Sequence, residues 1–185
     1  MTAPTTVPPR ILTGVTGTAI PIPDPDHLIH LQFRRFAGCP ICHRHLRTFV
    51  TRHTEITAAG IRPIAVFHSG AGELVDYAHE IPLELIADPG KALYREFGVE
   101  SAARALLDPR AWLGIARAIG NGAGPLVRGE QPVPPSAPEG GRLGLPADFL
   151  IAPGGTVAAA RYGTHADDQW SVDEMLSHAT EHHTH

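Results

Sequence analysis

Two cysteines, Cys39 and Cys42, are the only ones in the chain, and they constrain its fold more than any other feature. They lie between a strand pattern and a helix pattern. In Leu28-Ile29-His30-Leu31-Gln32-Phe33, apolar Ile29, Leu31 and Phe33 alternate with His30 and Gln32, which reads as a strand with one apolar face. After the cysteines, Cys42, Leu46, Phe49, Val50 and Ile56 recur at helical spacing and predict a helix from about Cys39 to Ala59, stopped by Gly60. A strand, a short loop and two cysteines in the first turn of a helix suit thiol–disulfide chemistry. The helix start offers unpaired N–H groups and the positive end of the dipole, and both stabilise a thiolate. Pro40 fits the first turn, where no N–H is needed. The apolar stripe turns Cys42 toward the core and leaves Cys39, at the helix entry, as the more exposed thiol.

The 185 residues form one globular unit spanning residues 1–185, long enough to bury a full core. A net charge of −4 suggests neither a nucleic-acid groove nor a polybasic membrane surface. Residues 1–9 are rich in Thr and Pro, with no charged or apolar leader segment. They read as a flexible N-terminus, and no apolar run approaches a membrane span. Two cysteines cannot staple a small secreted domain. In a reducing cytoplasm, the expected location, a lone C-x-x-C reads as redox-active or metal-binding. Residues 178–185 hold four histidines, and 180–185 read as a polar His-rich tail with adventitious metal affinity.

Other elements follow from local patterns. Ile11-Leu12-Thr13 and Thr18-Ala19-Ile20 around Gly14 and Gly17 predict a small N-terminal hairpin. The nearly continuous apolar run Ile61 to Phe67 reads as a strand buried on both faces. A helix from Leu74 to His79, a strand Leu83 to Ile86 and a helix Lys91 to Phe97 ending at Gly98 continue the alternation, which indicates three α/β layers. Residues 100–145 break the rhythm with Pro- and Gly-rich sequence and read as an insertion near the site end. Then come strands at Phe149-Leu150-Ile151 and Val157 to Tyr162, joined by a turn at Pro153-Gly154-Gly155. Ser171-Val172-Asp173-Glu174 is a capping box for a last helix whose apolar stripe is Val172, Met175, Leu176 and Ala179.

Phe33 to Leu46, the later Leu145-Pro146-Ala147-Asp148-Phe149-Leu150-Ile151, Tyr162-Gly163, Asp168 and the Ser171 capping box together resemble the peroxiredoxin-like branch of the alkyl hydroperoxide reductase/thiol-specific antioxidant family, within the thioredoxin superfamily. The resemblance implies a thioredoxin-like fold with a mixed central sheet between helical layers. It also implies an antioxidant role, a thiol/disulfide or hydroperoxide substrate, and a reducing partner such as a thioredoxin or small thiol. A homodimer is possible, with 105–119 as its surface. The site departs from the peroxiredoxin P-x-x-x-T/S-x-x-C motif. With Cys42 at the motif cysteine, Cys39 stands at the Thr/Ser position and Arg35 at the Pro position, and Pro146 replaces a second arginine. C-x-x-C with Leu-Pro before a late strand resembles thioredoxins instead. That pattern implies a cis Pro146 bond beside the dithiol, with the Ala147 or Leu145 backbone lining a substrate groove.

In thiol–disulfide exchange one thiolate attacks a substrate disulfide and a second thiol resolves the mixed disulfide. The thioredoxin pattern makes Cys39 the attacking thiol and Cys42 the resolving one, whereas the peroxiredoxin frame makes Cys42 peroxidatic. Arg34, Arg35 and His43 are candidates to stabilise the thiolate. Two plainer readings of the pair stand beside this one. It could be half of a zinc site completed by His43 or His45, or two small buried residues without chemistry. His45, His53 and His68 read as solvated, capping or core residues, with proton transfer as their functional alternative. Together these residues point to thiol–disulfide exchange without a metal or cofactor. A thiol-dependent peroxidase is the enzymatic alternative, and a non-catalytic binding module on the same fold is the alternative of another class.

Overall fold

A computed structural model describes residues 3–78, 81, 83–99 and 144–183. Apart from residues 144 and 145, the expected insertion at 100–145 and the dimer surface at 105–119 lie outside the described residues. The elements run β1 (Arg10–Thr13), β2 (Ala19–Ile22), β3 (Leu28–Arg34), α1 (Pro40–Thr51), α2 (His53–Ala58), β4 (Ile61–Phe67), α3 (Ala71–Ala78), β5 (Glu84–Ala87), α4 (Ala92–Glu96), β6 (Ala147–Ile151), β7 (Val157–Tyr162) and α5 (Val172–His183). β1 and β2 form the antiparallel hairpin. The other strands make one mixed sheet in the order β5-β4-β3-β6-β7. β3, β4 and β5 run parallel, and β6 and β7 run antiparallel to their neighbours.

Apolar side chains leave the sheet on both faces. Ile29, Leu31 and Phe33 of β3 pack with Ile64, Val66, Phe149, Tyr94 and Phe97, under the hairpin residues Ile20 and Ile22. On the opposite face Leu28, Ala65, Phe67 and Leu150 meet Leu46, Phe49, Trp170 and Met175 of the α1/α5 layer. The capping box at Ser171 forms in both directions. The Ser171 N–H donates to Glu174 at 2.7 Å, and the Glu174 N–H donates to the Ser171 hydroxyl at 3.2 Å.

Several expectations need correction. The helix after the cysteines is not continuous to Ala59. It breaks at Arg52 (φ −107°, ψ 18°), whose guanidinium pairs with Glu55 and with Asp173 of α5, so the break ties two helices together. Residues 1–9 are not free throughout. The Val7 N–H donates to the Gly155 carbonyl at 2.8 Å, Thr5 accepts from Val157 at 2.9 Å, and the Val7 side chain is buried. The His-rich tail is helical as far as His183.

β3 has the expected apolar face, and its other, polar face is buried as well. Its seven residues are all buried, because α1 and α5 close over His30, Gln32 and Arg34. Burying these groups requires internal partners. Asp148 of β6 supplies most of them. Its carboxylate meets Arg34 Nη2 at 2.8 Å and His30 Nε2 at 3.0 Å and accepts the Trp170 N–H at 3.2 Å. Arg34 Nη2 also donates to Gln32 Oε1 at 2.6 Å. Burial alone would push the Asp148 carboxyl up. The Arg34 cation and the His30 hydrogen bond outweigh it and hold the carboxyl well below the usual carboxylate range.

Removing one partner of such a pair strands the other as a buried charge. Asp148→Ala should therefore lower unfolding free energy by about 3–5 kcal/mol in denaturant titration. Asp173→Ala removes a carboxylate that is 81% exposed and should leave the midpoint nearly unchanged.

Candidate active site

The two cysteines lie where the carboxyl ends of β3 and β4 meet the start of α1. In open α/β sheets ligands bind at this end. Residues 35–38 connect β3 to Cys39, the N-cap of α1. Gly38 sits at φ 78°, a left-handed conformation that glycine adopts without steric cost. The loop is held from several sides. The Ala37 N–H donates to Ser69 Oγ at 3.0 Å and the His68 N–H to the Arg35 carbonyl at 3.2 Å. Below it, the Tyr94 hydroxyl donates to the Arg34 carbonyl and, at 2.9 Å, to that of Val66. Tyr94 is in turn fixed by α4, whose first turn is capped by the Asp88 carboxylate on the Ala92 and Leu93 N–H groups.

Both thiols are free and both are buried, so Cys39 is not the exposed member of the pair. What separates them is electrostatics. Arg35 reaches both sulfurs. Its Nη1 lies 3.8 Å from Cys39 Sγ, and its backbone N–H donates to Cys42 Sγ at 3.5 Å. The Cys42 thiol donates to Cys39, and this hydrogen bond is the largest influence holding Cys39 down, from an ordinary 9.0 to about 6. Burial opposes it. The Arg35 charge and the helix-entry amides of Ile41 and Cys42, which lie toward the sulfur without a full capping bond, reinforce it. Cys42 moves the other way. The hydrogen bond it gives to Cys39, its burial and the Cys39 charge all push it well up. The pair is thus one thiolate at Cys39 held by one thiol at Cys42.

A narrow hollow, partly open to solvent, reaches this pair. Phe36, Gly38, Cys39, Cys42, His43 and Ile81 line it, so His43 shares the thiols' surroundings. Pro40 is exposed in the first turn of α1. Arg34 points away from the sulfurs into the Asp148 network, because strand alternation sends it beneath α1. Among the described residues the one cis peptide bond is Ile22–Pro23, so Leu145–Pro146 is trans, against the thioredoxin-like expectation. Ala147 is paired on both sides, with Phe33 and Tyr162, and the Pro146 carbonyl accepts the Gly163 N–H at 2.9 Å. Neither backbone has a free edge for a substrate chain.

The late segment instead approaches the site through Gly144. A Cβ built there would lie 2.8 Å from His68 Nε2 and 3.9 Å from Arg35 Cγ. Gly144, Ser69 and Tyr94 went unnoticed in the sequence as site residues. Only Ser69 left a signal, since it follows a strand parallel to β3 and must emerge at the same end. Among the described residues no group of three or more His, Cys, Asp or Glu side chains could hold a metal.

A thiol pair at the entry of the helix following the central strand of a mixed five-stranded sheet defines a thioredoxin-like redox fold. A family model for AhpC/TSA antioxidant enzymes matches residues 48–165, and the chain belongs to that family. The match begins beyond both cysteines. Similar solved structures include peroxidoxin BcpB from Mycobacterium tuberculosis, 15% identical over 98% of this chain and 97% of that one, with a TM-score of 0.65. Peroxiredoxin Q of Xanthomonas campestris is 18% identical over 98% and 96%, with a TM-score of 0.63. A protein assigned as the thiol:disulfide interchange protein DsbE, from Chlorobium tepidum, is 17% identical over 98% and 97%, with a TM-score of 0.58. These likenesses show the fold. No curated protein matches the chain at a significant level.

Cys39 should be mostly thiolate at neutral pH. Its alkylation by iodoacetamide should fall to half near pH 6, read by mass spectrometry, while Cys42 stays unlabelled. Arg35→Ala should move that midpoint upward by removing the nearby cation.

Proposed function

We propose that the protein is a thiol–disulfide oxidoreductase that uses Cys39 as nucleophile and Cys42 as resolving thiol. The observation that carries this reading is the pair of free thiols at the start of α1, both reached by Arg35, whose Nη1 lies 3.8 Å from Cys39 Sγ and whose N–H donates to Cys42 Sγ at 3.5 Å. The Cys39 thiolate attacks one sulfur of a substrate disulfide and expels the other as a thiolate, leaving a mixed disulfide on Cys39. Two of the influences that kept Cys42 protonated, the hydrogen bond to the Cys39 thiolate and its charge, then disappear. Cys42 ionises and attacks Cys39 Sγ, and the second substrate sulfur leaves. Two electrons have passed to the substrate, and the protein holds a Cys39–Cys42 disulfide. A thioredoxin or a small thiol returns it to the dithiol, which places the cycle in a reducing compartment such as the cytoplasm. Arg35 serves as the thiolate-stabilising cation, with His43 beside it.

Membership of an antioxidant enzyme family favours a second reading on the same pair. The Cys39 thiolate would attack a hydroperoxide oxygen and release the alcohol or water. The Cys39 sulfenic acid would then condense with Cys42, losing water, to give the same disulfide. The raised pKa of Cys42 speaks against it as the peroxide-attacking residue. The relative rates of dithiol oxidation by hydrogen peroxide and by a model disulfide, quenched and read by mass spectrometry, separate the two. An ordinary pKa at Cys39 and no exchange with small disulfides would instead point to a binding module without catalysis.

Cys42→Ser should accumulate a mixed disulfide on Cys39, whereas Cys39→Ser should be inert toward disulfides. Mild oxidation of the unmodified protein should give an intramolecular bond, seen as a loss of two hydrogens without label. Trapping on Cys42 in the Cys39→Ser variant would overturn the assignment of roles.

A further inference from the structure

We propose that Tyr94 is a positioning residue for the resolving thiol: through the Arg34–Arg35 peptide, its hydroxyl aims a backbone N–H at Cys42 Sγ. The inference rests on the exchange reading above and concerns what lets Cys42 ionise once Cys39 carries substrate.

The connection runs through one peptide group. The Tyr94 hydroxyl donates to the Arg34 carbonyl. The amide at the other end of that peptide, the Arg35 N–H, donates to Cys42 Sγ at 3.5 Å. In a trans peptide the C=O and the N–H point in opposite directions. The two partners accordingly come from opposite layers. Tyr94, on α4, meets the Phe33 ring edge-on at 4.9 Å on one face of the sheet. Cys42, on α1, belongs to the core of the other face, with Leu46 and Phe67.

The phenol is well fixed for this task. Its ring is buried between Phe33 and His68, the second also edge-on, at 5.6 Å. Its hydroxyl is shared with the Val66 carbonyl at 2.9 Å, which ties the ends of β3 and β4 together. Its backbone lies in the first turn of α4, which the Asp88 carboxylate caps. The peptide after Arg35 is held as well, because the Arg35 carbonyl accepts the His68 N–H at 3.2 Å. The direction of the Arg35 N–H is therefore set by Tyr94 on one side and by His68 on the other.

That N–H matters most in the second half of the reaction. While Cys39 is an anion, its charge and its hydrogen bond keep Cys42 protonated. Both vanish when Cys39 bonds to substrate. Burial still opposes ionisation of Cys42, and the Arg35 charge and the Arg35 N–H favour it. A hydrogen bond received by a carbonyl polarises the peptide and strengthens its N–H as a donor. The phenol itself stays neutral. Burial raises it first, the Cys42 and Asp88 charges add to that, and the Arg34 cation and the His68 amide oppose them.

In balance, Cys42 gives its proton to solvent through the hollow beside it, and its sulfur bonds to Cys39 Sγ. The Cys39–substrate S–S bond breaks, and its electron pair leaves with the substrate sulfur. Tyr94 neither gains nor loses a proton.

A single-turnover reaction of the reduced protein with a symmetric chromogenic aryl disulfide tests this. The first thiolate appears on attack by Cys39 and the second on resolution by Cys42. Tyr94→Phe keeps the ring and loses the hydroxyl, and its first phase should keep the wild-type rate. Its second phase should slow about three- to tenfold, the worth of one lost hydrogen bond. The pH profile of the second phase should also move to higher pH while that of the first stays in place. Tyr162→Phe is the control. It too removes a hydroxyl bonded to a carbonyl, that of Phe97 at 2.6 Å, but the N–H of that peptide donates to Arg95 and not to a sulfur. Both of its phases should keep their rates. Should Tyr94→Phe fail to fold, a ring-fluorinated tyrosine at position 94, a stronger donor of nearly the same shape, decides instead. The second phase should then quicken and the first should not. In Tyr94→Phe, a second phase at the wild-type rate or one that slows in step with the first would overturn the proposal. So would an equal slowing in Tyr162→Phe, or a second phase that the fluorinated ring does not quicken. Absence of any first phase in the wild-type protein would instead sink the exchange reading beneath it.

Discussion

The buried ion pair between Arg34 and Asp148 governs how the rest of the molecule is assembled. It joins the central strand β3 to the antiparallel strand β6 beneath α1, with both side chains inaccessible to solvent. Two buried charges are costly to desolvate and stabilise a fold only when geometry and further hydrogen bonds are good. Here His30, Gln32 and the Trp170 amide supply those bonds. The pair also fixes register. A slip of one residue between β3 and β6 would carry Asp148 to the other face of the sheet, where it would meet Phe33 and Phe97 in place of Arg34. Once that register is set, the segment before β6 arrives at the carboxyl end of β3, and Gly144 comes to lie beside His68 and Arg35.

Arg34 and Arg35 show how one position along a chain changes a residue's work. Arg34 still belongs to the strand, and its alternation turns it under α1. Arg35 is the first residue beyond the strand, and both its backbone and its guanidinium reach the sulfurs. The core ion pair and the thiolate therefore draw on separate cations. The asymmetry between the thiols does not come from exposure, since both are buried. It comes first from the hydrogen bond that makes one sulfur's ionisation the other's protonation, and then from the helix-entry amides on the side of Cys39, whereas Arg35 lowers both thiols. Such a pair is poised in sequence: the second thiol is held back for as long as the first is an anion.

The family match and the dithiol are independent sources of information. The AhpC/TSA match covers residues 48–165 and owes nothing to Cys39 or Cys42, whereas the site depends on residues 35–42 and on what surrounds them. Solved structures at 15–18% identity share the fold. In this chain the sheet brings loop ends and a helix start together at one end. The chemistry then turns on a few residues at that end.

Much of the layout was written locally. The alternation of strands and helices, the hairpins, the Ser171 capping box and the C-x-x-C at a helix start each depend on residues within a few positions of one another, so periodicity and turn chemistry were enough to find them. What the sequence could not convey depends on residues far apart. Whether His30 and Gln32 face water or a second layer is decided by where α1 and α5 fold, and a polar residue in an alternating strand looks the same in both cases. The break at Arg52 is coupled to Asp173, more than a hundred positions away. Pro146 reads like a thioredoxin proline, yet its peptide is trans and its carbonyl is bound to Gly163. The sequence alone determined that two thiols would share the first turn of a helix after a central strand. Only the tertiary structure decided which of them is the anion, because that choice rests on the hydrogen bond between the two sulfurs and on the helix-entry amides around Cys39, whose arrangement exists only once the chain has packed.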